Sequence, residues 1–302
     1  MSGGALTGFL EASVRTTTPL AFAALGELVV ERSGVINIGL EGAIIAGAFG
    51  SYLVVDAGGI EGGFAAAAAA GIMIAAIFAF FVVTLRSDQI IVGTAISMLG
   101  LGLTGTLYST LNGAGSSVLR TAPMFPLPVP VLRNIPIIGP AFFNQPAVTY
   151  ALYGLVPAMA WWMYRSSAGL GLRAVGENPE AARAVGISPS RVRWFAILFG
   201  GLLGGISGAA LVLAQVGTFA EGMSSGRGFI AIAAVVLGRW TPWGVVGAAF
   251  LFGSASAVQY LFQSLDWNLP YQLALAFPYV LTLVALASVR GRAAAPAALG
   301  LP

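Results

Sequence analysis

Apolar residues run along this chain in long blocks broken by short polar punctuation. The blocks fall at about 17–31, 35–55, 62–85, 89–111, 147–164, 194–216, 228–239, 243–264 and 270–289. Unbroken apolar runs of this length predict membrane-crossing helices, not half-buried strands. The predicted fold is an all-α polytopic integral membrane protein of about 8 to 10 transmembrane helices in one domain over 1–302, with nine segments counted. The first and seventh are predicted to be short, broken or re-entrant, because roughly 12 to 15 apolar residues cover only part of a hydrocarbon layer about 30 Å thick. Residues 1–18 show no basic region ahead of a short apolar core and no small-residue cleavage pattern. The first apolar segment is therefore expected to be retained.

Two polar stretches interrupt the blocks. Residues 112–146 contain Pro123, Pro126, Pro128, Pro130, Pro136, Pro140 and Pro146, which rules out one continuous helix and predicts a stiff looped cap. It is either a surface for a partner or a cover for the ends of the helices. Residues 165–193 carry their own helix starts and stops. Asn178 is placed to cap a helix with Pro179 at its first position and Glu180 in its first turn, and Gly186 is placed to end it in the left-handed conformation. Ser188 and Pro189 repeat the start signal. A helix of roughly seven residues is unstable alone in water, so this one needs a surface to dock on.

Arginine sets the orientation. With 165–193 in the cytoplasm, ten Arg lie inside and four outside, the arrangement the positive-inside rule selects. It predicts an external N-terminus and a cytoplasmic C-terminus, provided that both short segments cross. The 112–146 loop is then external.

Composition agrees with lipid as the solvent: 58% of residues are hydrophobic, 8% are charged, and the mean hydropathy is +0.89. The net charge of +3 comes entirely from Arg and gives no basic face for nucleic acid. The chain has no Cys, His or Lys. That excludes disulfides, thiolate nucleophiles, metal sites built on Cys or His, and a phosphate-binding loop that needs Lys. An intramembrane hydrolase would be left with paired carboxylates only.

The ionisable residues inside the blocks are the candidate functional groups. Glu27, Glu31 and Arg32 lie near the cytoplasmic end of the first segment, and Asn37 and Glu41 are predicted one turn apart on one face of the second. A carboxylate well inside a bilayer costs about 3 kcal/mol, so it faces a cavity or a partner. Two readings of Glu41 stay open: with Asn37, Gln215 and Gln259 it lines a translocation path, or it anchors a neighbouring helix or pairs with Arg32 or Arg239. Around the seventh segment, a Gly-rich approach containing Arg227 and a following Gly-Arg-Trp turn containing Arg239 suggest a gate, while Trp240 and Trp243 also suit a lipid interface. Gly200, Gly204 and Gly208 repeat at four-residue spacing, which makes the sixth segment a packing axis where backbones meet closely.

Three stretches resemble the permease subunits of bacterial ATP-binding cassette importers of the branched-chain amino acid, simple sugar and nucleoside class. They are the Gly26–Gly42 run with its Glu-Arg-Ser-Gly-Val-Ile-Asn core, the Gly176–Ile187 run, and the Gly226–Trp240 run. The Glu-Arg-Ser-Gly-Val-Ile-Asn and Gly-Arg-Trp forms lean toward the nucleoside and simple-sugar branch. The resemblance implies a non-catalytic subunit of the bacterial inner membrane that forms a translocation path for a small polar solute. It further implies a second permease subunit, giving a heterodimer in the nucleoside branch, ATPase subunits that bind ATP and Mg, and an extracytoplasmic solute-binding protein; no cofactor belongs to this chain. By the same resemblance Gly176, Glu177, Asn178, Pro179, Glu180, Ala181, Ala182, Arg183 and Gly186 form the piece that fits the ATPase. Unlike longer sugar permeases, the chain shows no clear extra helix before residue 17. The rival reading is an ion-coupled secondary transporter that uses Glu27, Glu31 and Glu41.

Overall fold

The computed structural model describes residues 3–111, 124–264, 280, 284 and 295–301. The segment at 270–289 falls almost wholly outside the described residues. Everything else predicted as a helix is helical, with three differences in where the helices begin and turn.

The first helix, α1 (Gly3–Arg32), is 30 residues long and spans about 45 Å, so the expectation of a short first segment is corrected. Its polar start stays helical because the hydroxyls find acceptors one turn back. Ser13, Thr16, Thr17 and Thr18 donate to the carbonyls of Phe9, Ala12, Ser13 and Val14 at 2.6–2.9 Å, and Arg15 pairs with Glu11 at 3.1 Å. Such hydroxyls carry little desolvation cost in an apolar helix. Pro19 lies inside α1 and has no N–H for the Arg15 carbonyl four residues earlier. Gln215 Nε2 donates to that carbonyl instead, at 2.6 Å.

The second helix, α2 (Leu40–Ala79), contains the second and third predicted segments as two arms meeting at Gly59 (φ 64°, ψ −171°). Only glycine adopts this conformation without strain. The arms fold back on each other: a Cβ on Gly50 would touch Ala66 and Ala70, and one on Gly63 would touch Ser51. A π-helical turn, Phe80–Thr84, ends the second arm, and α3 (Gln89–Leu111) follows. The chain between α1 and α2 turns through 33–39, so Asn37 lies before α2. The expectation that Asn37 and Glu41 share a face of one helix is therefore corrected; Gly34, at φ +90°, starts the turn.

The described part of the Pro-rich loop has no continuous helix. Leu127–Pro128 (β1) pairs antiparallel with Asn144–Gln145 (β2), and between them lie a 3₁₀ turn, Leu132–Asn134, and the short helix α4 (Ile138–Phe143). The loop is pinned to the bundle where Met124 N donates to Leu213 O at 2.7 Å. After α5 (Ala147–Arg165) come α6 (Ser167–Glu177), α7 (Pro179–Ala184), α8 (Pro189–Ala210), α9 (Arg227–Leu237) and α10 (Pro242–Ser264). Helix α6 is not foreseen in the sequence pattern. Ser166 starts it by accepting from Gly169 N at 3.0 Å.

Among the described residues, Leu40–Thr84, Gln89–Leu111 and Pro189–Val216 have both the length and the hydropathy of a membrane crossing. Helix α9, with 11 residues, reaches only about 16 Å, as its short apolar run predicts. Helix α8 is the axis of the bundle. Gly200 lies against Gly26 and Val30 of α1, Gly204 against Leu40 and Ala43, Gly208 against Ile44 and Ala48, and Gly201 and Gly205 against the second arm of α2 at Gly71 and Ala67. At Gly201, Gly205 and Gly208 backbone lies on backbone, while Gly204 takes the Leu40 and Ala43 side chains; both kinds of contact gain dispersion where lipid supplies no hydrophobic drive.

Candidate functional site

Two groups of residues stand out: a set of buried polar residues in the core, and the capped α6–α7 elbow.

Glu41 is buried, 3% exposed, in the first turn of α2. Its neighbours Leu40 and Ala43 contact Gly204 of α8, which lies ten residues beyond Trp194, where the apolar part of α8 begins. That is about 15 Å along the helix, half the thickness of a hydrocarbon layer. At this depth Glu41 Oε1 accepts from Gly226 N at 2.8 Å and Oε2 from Gly228 N at 2.7 Å. Both oxygens are thus taken by the first amides of α9, where the helix dipole favours negative charge. The approach is close: a Cβ on Gly228 would lie 2.6 Å from Glu41 N. Glu41 bonds a neighbouring helix and forms no ion pair with Arg32 or Arg239; Arg15–Glu11 is the salt bridge found among the described residues. Because α9 starts at mid-depth, the irregular 217–226 approach is non-helical backbone of the kind tolerated only where it is buried in protein or lines a cavity; Gly217, Phe219 and Ser224 are buried, and Ala220, Glu221, Gly222 and Ser225 are exposed. Arg227 helps close it by donating to Met223 O at 2.7 Å.

Asn37 turns to a different partner. Its backbone N donates to Glu27 Oε1 at 2.8 Å, and Glu27 is wholly buried. One turn further along α1, Glu31 accepts from Trp240 Nε1, and Arg32 donates to Trp240 O at 2.9 Å from Nε and 2.6 Å from a terminal nitrogen. Trp240 is 3% exposed, whereas Trp243 is 63% exposed. The two tryptophans therefore part company: Trp243 is free to meet lipid, and Trp240 is a buried lock between α9 and the end of α1. Arg239 and Trp240 both have φ +53°, a conformation bulky residues adopt only when their surroundings enforce it. At Trp240 the contacts from Glu31 and Arg32 supply that enforcement. Glu27 Oε2, Glu31 Oε1 and Asn37 Oδ1 are buried without a hydrogen-bond partner in the protein, so three unsatisfied oxygens stand together in this part of the described core.

The other path candidates lie apart from these. Gln215 sits in the π-helical turn Leu211–Val216 that ends α8 and opens on a cavity of about 460 Å³ with Glu11, Arg15 and Thr16. Gln259 lies in α10, its side chain outside the described residues. Asn37, Glu41 and Gln215 are not brought to one cavity.

The elbow is built as the local signals predict. Asn178 Oδ1 accepts from Ala181 N at 2.9 Å, Pro179 occupies the first position, and Glu180 lies in the first turn. Ile187 N returns to Ala182 O at 3.0 Å, and Gly186 has φ +86°. Ala182 is buried, while Ala181, Ala184 and Val185 are exposed. The opposite face, Pro179, Glu180 and Arg183, borders a cavity of about 300 Å³ shared with Val82, Arg86, Ser190 and Arg193. Thus α7 rests on the bundle by one face and presents a small apolar one outward. Arg173 stacks over the Tyr164 ring at 5.2 Å, which stiffens the joint between α5 and α6.

Comparison with known proteins agrees with this architecture. A family model described as the permease component of branched-chain amino acid transport systems matches residues 9–286. A guanosine ABC transporter permease of Bacillus subtilis is 36% identical over 98% of this chain and 96% of its own length. A protein of Haloferax volcanii, provisionally named a glucose ABC transporter permease, is 37% identical over 92% of this chain and 90% of its own. Among solved structures, an inward-facing transporter described as of metal-chelate ABC type aligns with a TM-score of 0.52 at 16% identity, over 93% of this chain and 85% of that one. This last likeness concerns the fold alone.

Proposed function

The chain belongs to the permease family of branched-chain amino acid transport systems, and from that premise we propose that it is one membrane-spanning half of an ATP-driven importer for a small, hydroxyl-rich solute, a nucleoside first and a simple sugar second. Members of this family are non-catalytic, multi-pass membrane subunits. The proposed partners are a second permease subunit, an ATPase that binds ATP and Mg, and an extracytoplasmic solute-binding protein. The proposed setting is the inner membrane, with the elbow and the C-terminus in the cytoplasm.

The observation that carries the reading is the elbow. A six-residue helix, capped at both ends, seated on the bundle by Ala182 and exposed along Ala181, Ala184 and Val185, is a ready docking piece for the ATPase. Motion delivered there passes through α6 and α8 into the glycine contacts that join α8 to α1 and α2. The rival, an ion-coupled transporter, needs free carboxylates along a path. Of its three carboxylates Glu41 has both oxygens committed to backbone amides, whereas Glu27 and Glu31 each keep one oxygen without a partner; the elbow and the family membership, not the carboxylates, favour the importer.

Reconstitution tests the proposal. The chain with its partner permease, ATPase and binding protein is expected to accumulate labelled guanosine in an ATP-dependent manner. Glucose taken up in place of guanosine would move the chain to the sugar branch. Accumulation by the chain alone, driven by an ion gradient, would overturn the importer reading.

A further inference from the structure

Residues 295–301 lie against the elbow, and no motif in the chain points to this. Pro296 and Ala298 are buried, Ala298 with 3% exposure. Ala298 N donates to Gly176 O at 2.9 Å, at the end of α6, and two residues later Gly300 N donates to Gly34 O at 3.1 Å, in the turn between α1 and α2. Leu301 O accepts from Gln89 Nε2 of α3 at 3.3 Å, while Gln89 Oε1 accepts from Ile36 N of the same turn at 2.9 Å. The fit is close on both sides: a Cβ on Gly34 would lie 3.2 Å from Ala298 O, and one on Gly176 would lie 3.3 Å from Pro296 Cβ.

We propose that the 295–301 segment is a positioning strap that ties the base of the α7 lever to the 33–39 turn and to α3, so that displacement of the elbow is passed to the core. The inference rests on the permease reading above. A lever transmits force only if its base is fixed, and α7 itself contributes six residues, too few to hold its own shape. The strap fixes the base with backbone hydrogen bonds, which are short, directional and expensive to leave unmade once buried. From Gly34 the connection continues within three residues to Asn37, whose N–H holds Glu27 in α1. The strap thus joins the elbow to the buried polar cluster. Its loss should cut force transmission without undoing ATPase docking, because the outward face of α7 is untouched.

The test uses the whole importer in proteoliposomes and reads solute taken up per ATP hydrolysed, together with ATPase retained on the purified complex. Ala298→Asp places a charge in the buried contact, Ala298→Gly keeps the backbone bond, and a third variant lacks residues 295–302. With Ala298→Asp uptake per ATP should fall about tenfold, the scale of one lost buried hydrogen bond, and with the deletion, which removes the three hydrogen bonds described above, by at least as much. ATPase retention should be kept, and Ala298→Gly should stay close to the unaltered chain. Unchanged uptake per ATP in both disrupted variants would overturn the strap. So would a parallel loss of uptake, hydrolysis and bound ATPase, since that pattern marks a segment needed only for folding. Absence of ATP-dependent uptake in the unaltered complex would instead bring down the permease reading, and the strap with it.

Discussion

Replacing Glu41 tests whether a carboxylate at mid-depth is what holds α9 in place. In the protein its two oxygens accept from Gly226 N and Gly228 N at 2.8 and 2.7 Å. Glu41→Ala leaves both amides without an acceptor in a site that is 3% exposed. Each orphaned buried N–H costs about 1–3 kcal/mol, so the pair costs roughly 2–6 kcal/mol, to which the lost charge at the helix start adds up to about 1 kcal/mol. Glu41→Gln keeps one carbonyl acceptor but turns an NH₂ toward the second amide, so about half of that penalty should remain. The penalty falls on local opening of the 217–228 approach, because α8 and the arms of α2 hold together through glycine contacts that do not involve Glu41. Hydrogen exchange of peptides covering 224–230, measured on protein in lipid nanodiscs, reads that opening directly. At a factor of ten for each 1.4 kcal/mol, exchange should speed up by about 30-fold or more in the Ala variant, with the Gln variant between it and the unaltered protein. Exchange within about threefold of the unaltered protein in both variants would refute the view that Glu41 holds α9.

Two further contrasts follow from the packing. Gly47→Ala would set a Cβ 2.5 Å from Gly205 Cα, backbone against backbone with nothing to yield, and should cost about 1–3 kcal/mol or more in thermal stability. Gly102→Ala in α3 meets nothing within 4 Å and should stabilise by up to about 1 kcal/mol; equal melting temperatures for the two would contradict the close approach of α2 and α8. Trp240→Phe removes the donor to Glu31 in a buried site and should lower stability by about 1–3 kcal/mol, whereas Trp243→Phe, at a position 63% exposed, should stay within about 0.5 kcal/mol. A reversed order in a side-by-side melt would mean that Trp243 and not Trp240 is the lock.

The sequence by itself determined whatever depends on neighbours within a few residues. Apolar run length marks most of the crossings, and Asn178, Pro179, Glu180 and Gly186 mark the elbow helix, because capping acts over three or four residues. The four-residue glycine spacing marks the face of α8 that other helices approach. Local signals also mislead where a residue carries its own remedy: the hydroxyls of Ser13, Thr16, Thr17 and Thr18 lower the hydropathy of α1 yet do not end it, since each finds a carbonyl one turn back.

Only the tertiary structure decided who meets whom. Glu41 and Gly226 are separated by 185 positions, Glu31 and Trp240 by 209, and Gly176 meets Ala298 from beyond another hundred residues. A buried polar group must find a partner, so the sequence announces that Glu27, Glu31 and Glu41 are costly. Which amide or indole meets that cost depends on how α8 brings α1, α2 and α9 together, and packing of that kind has no period along the chain.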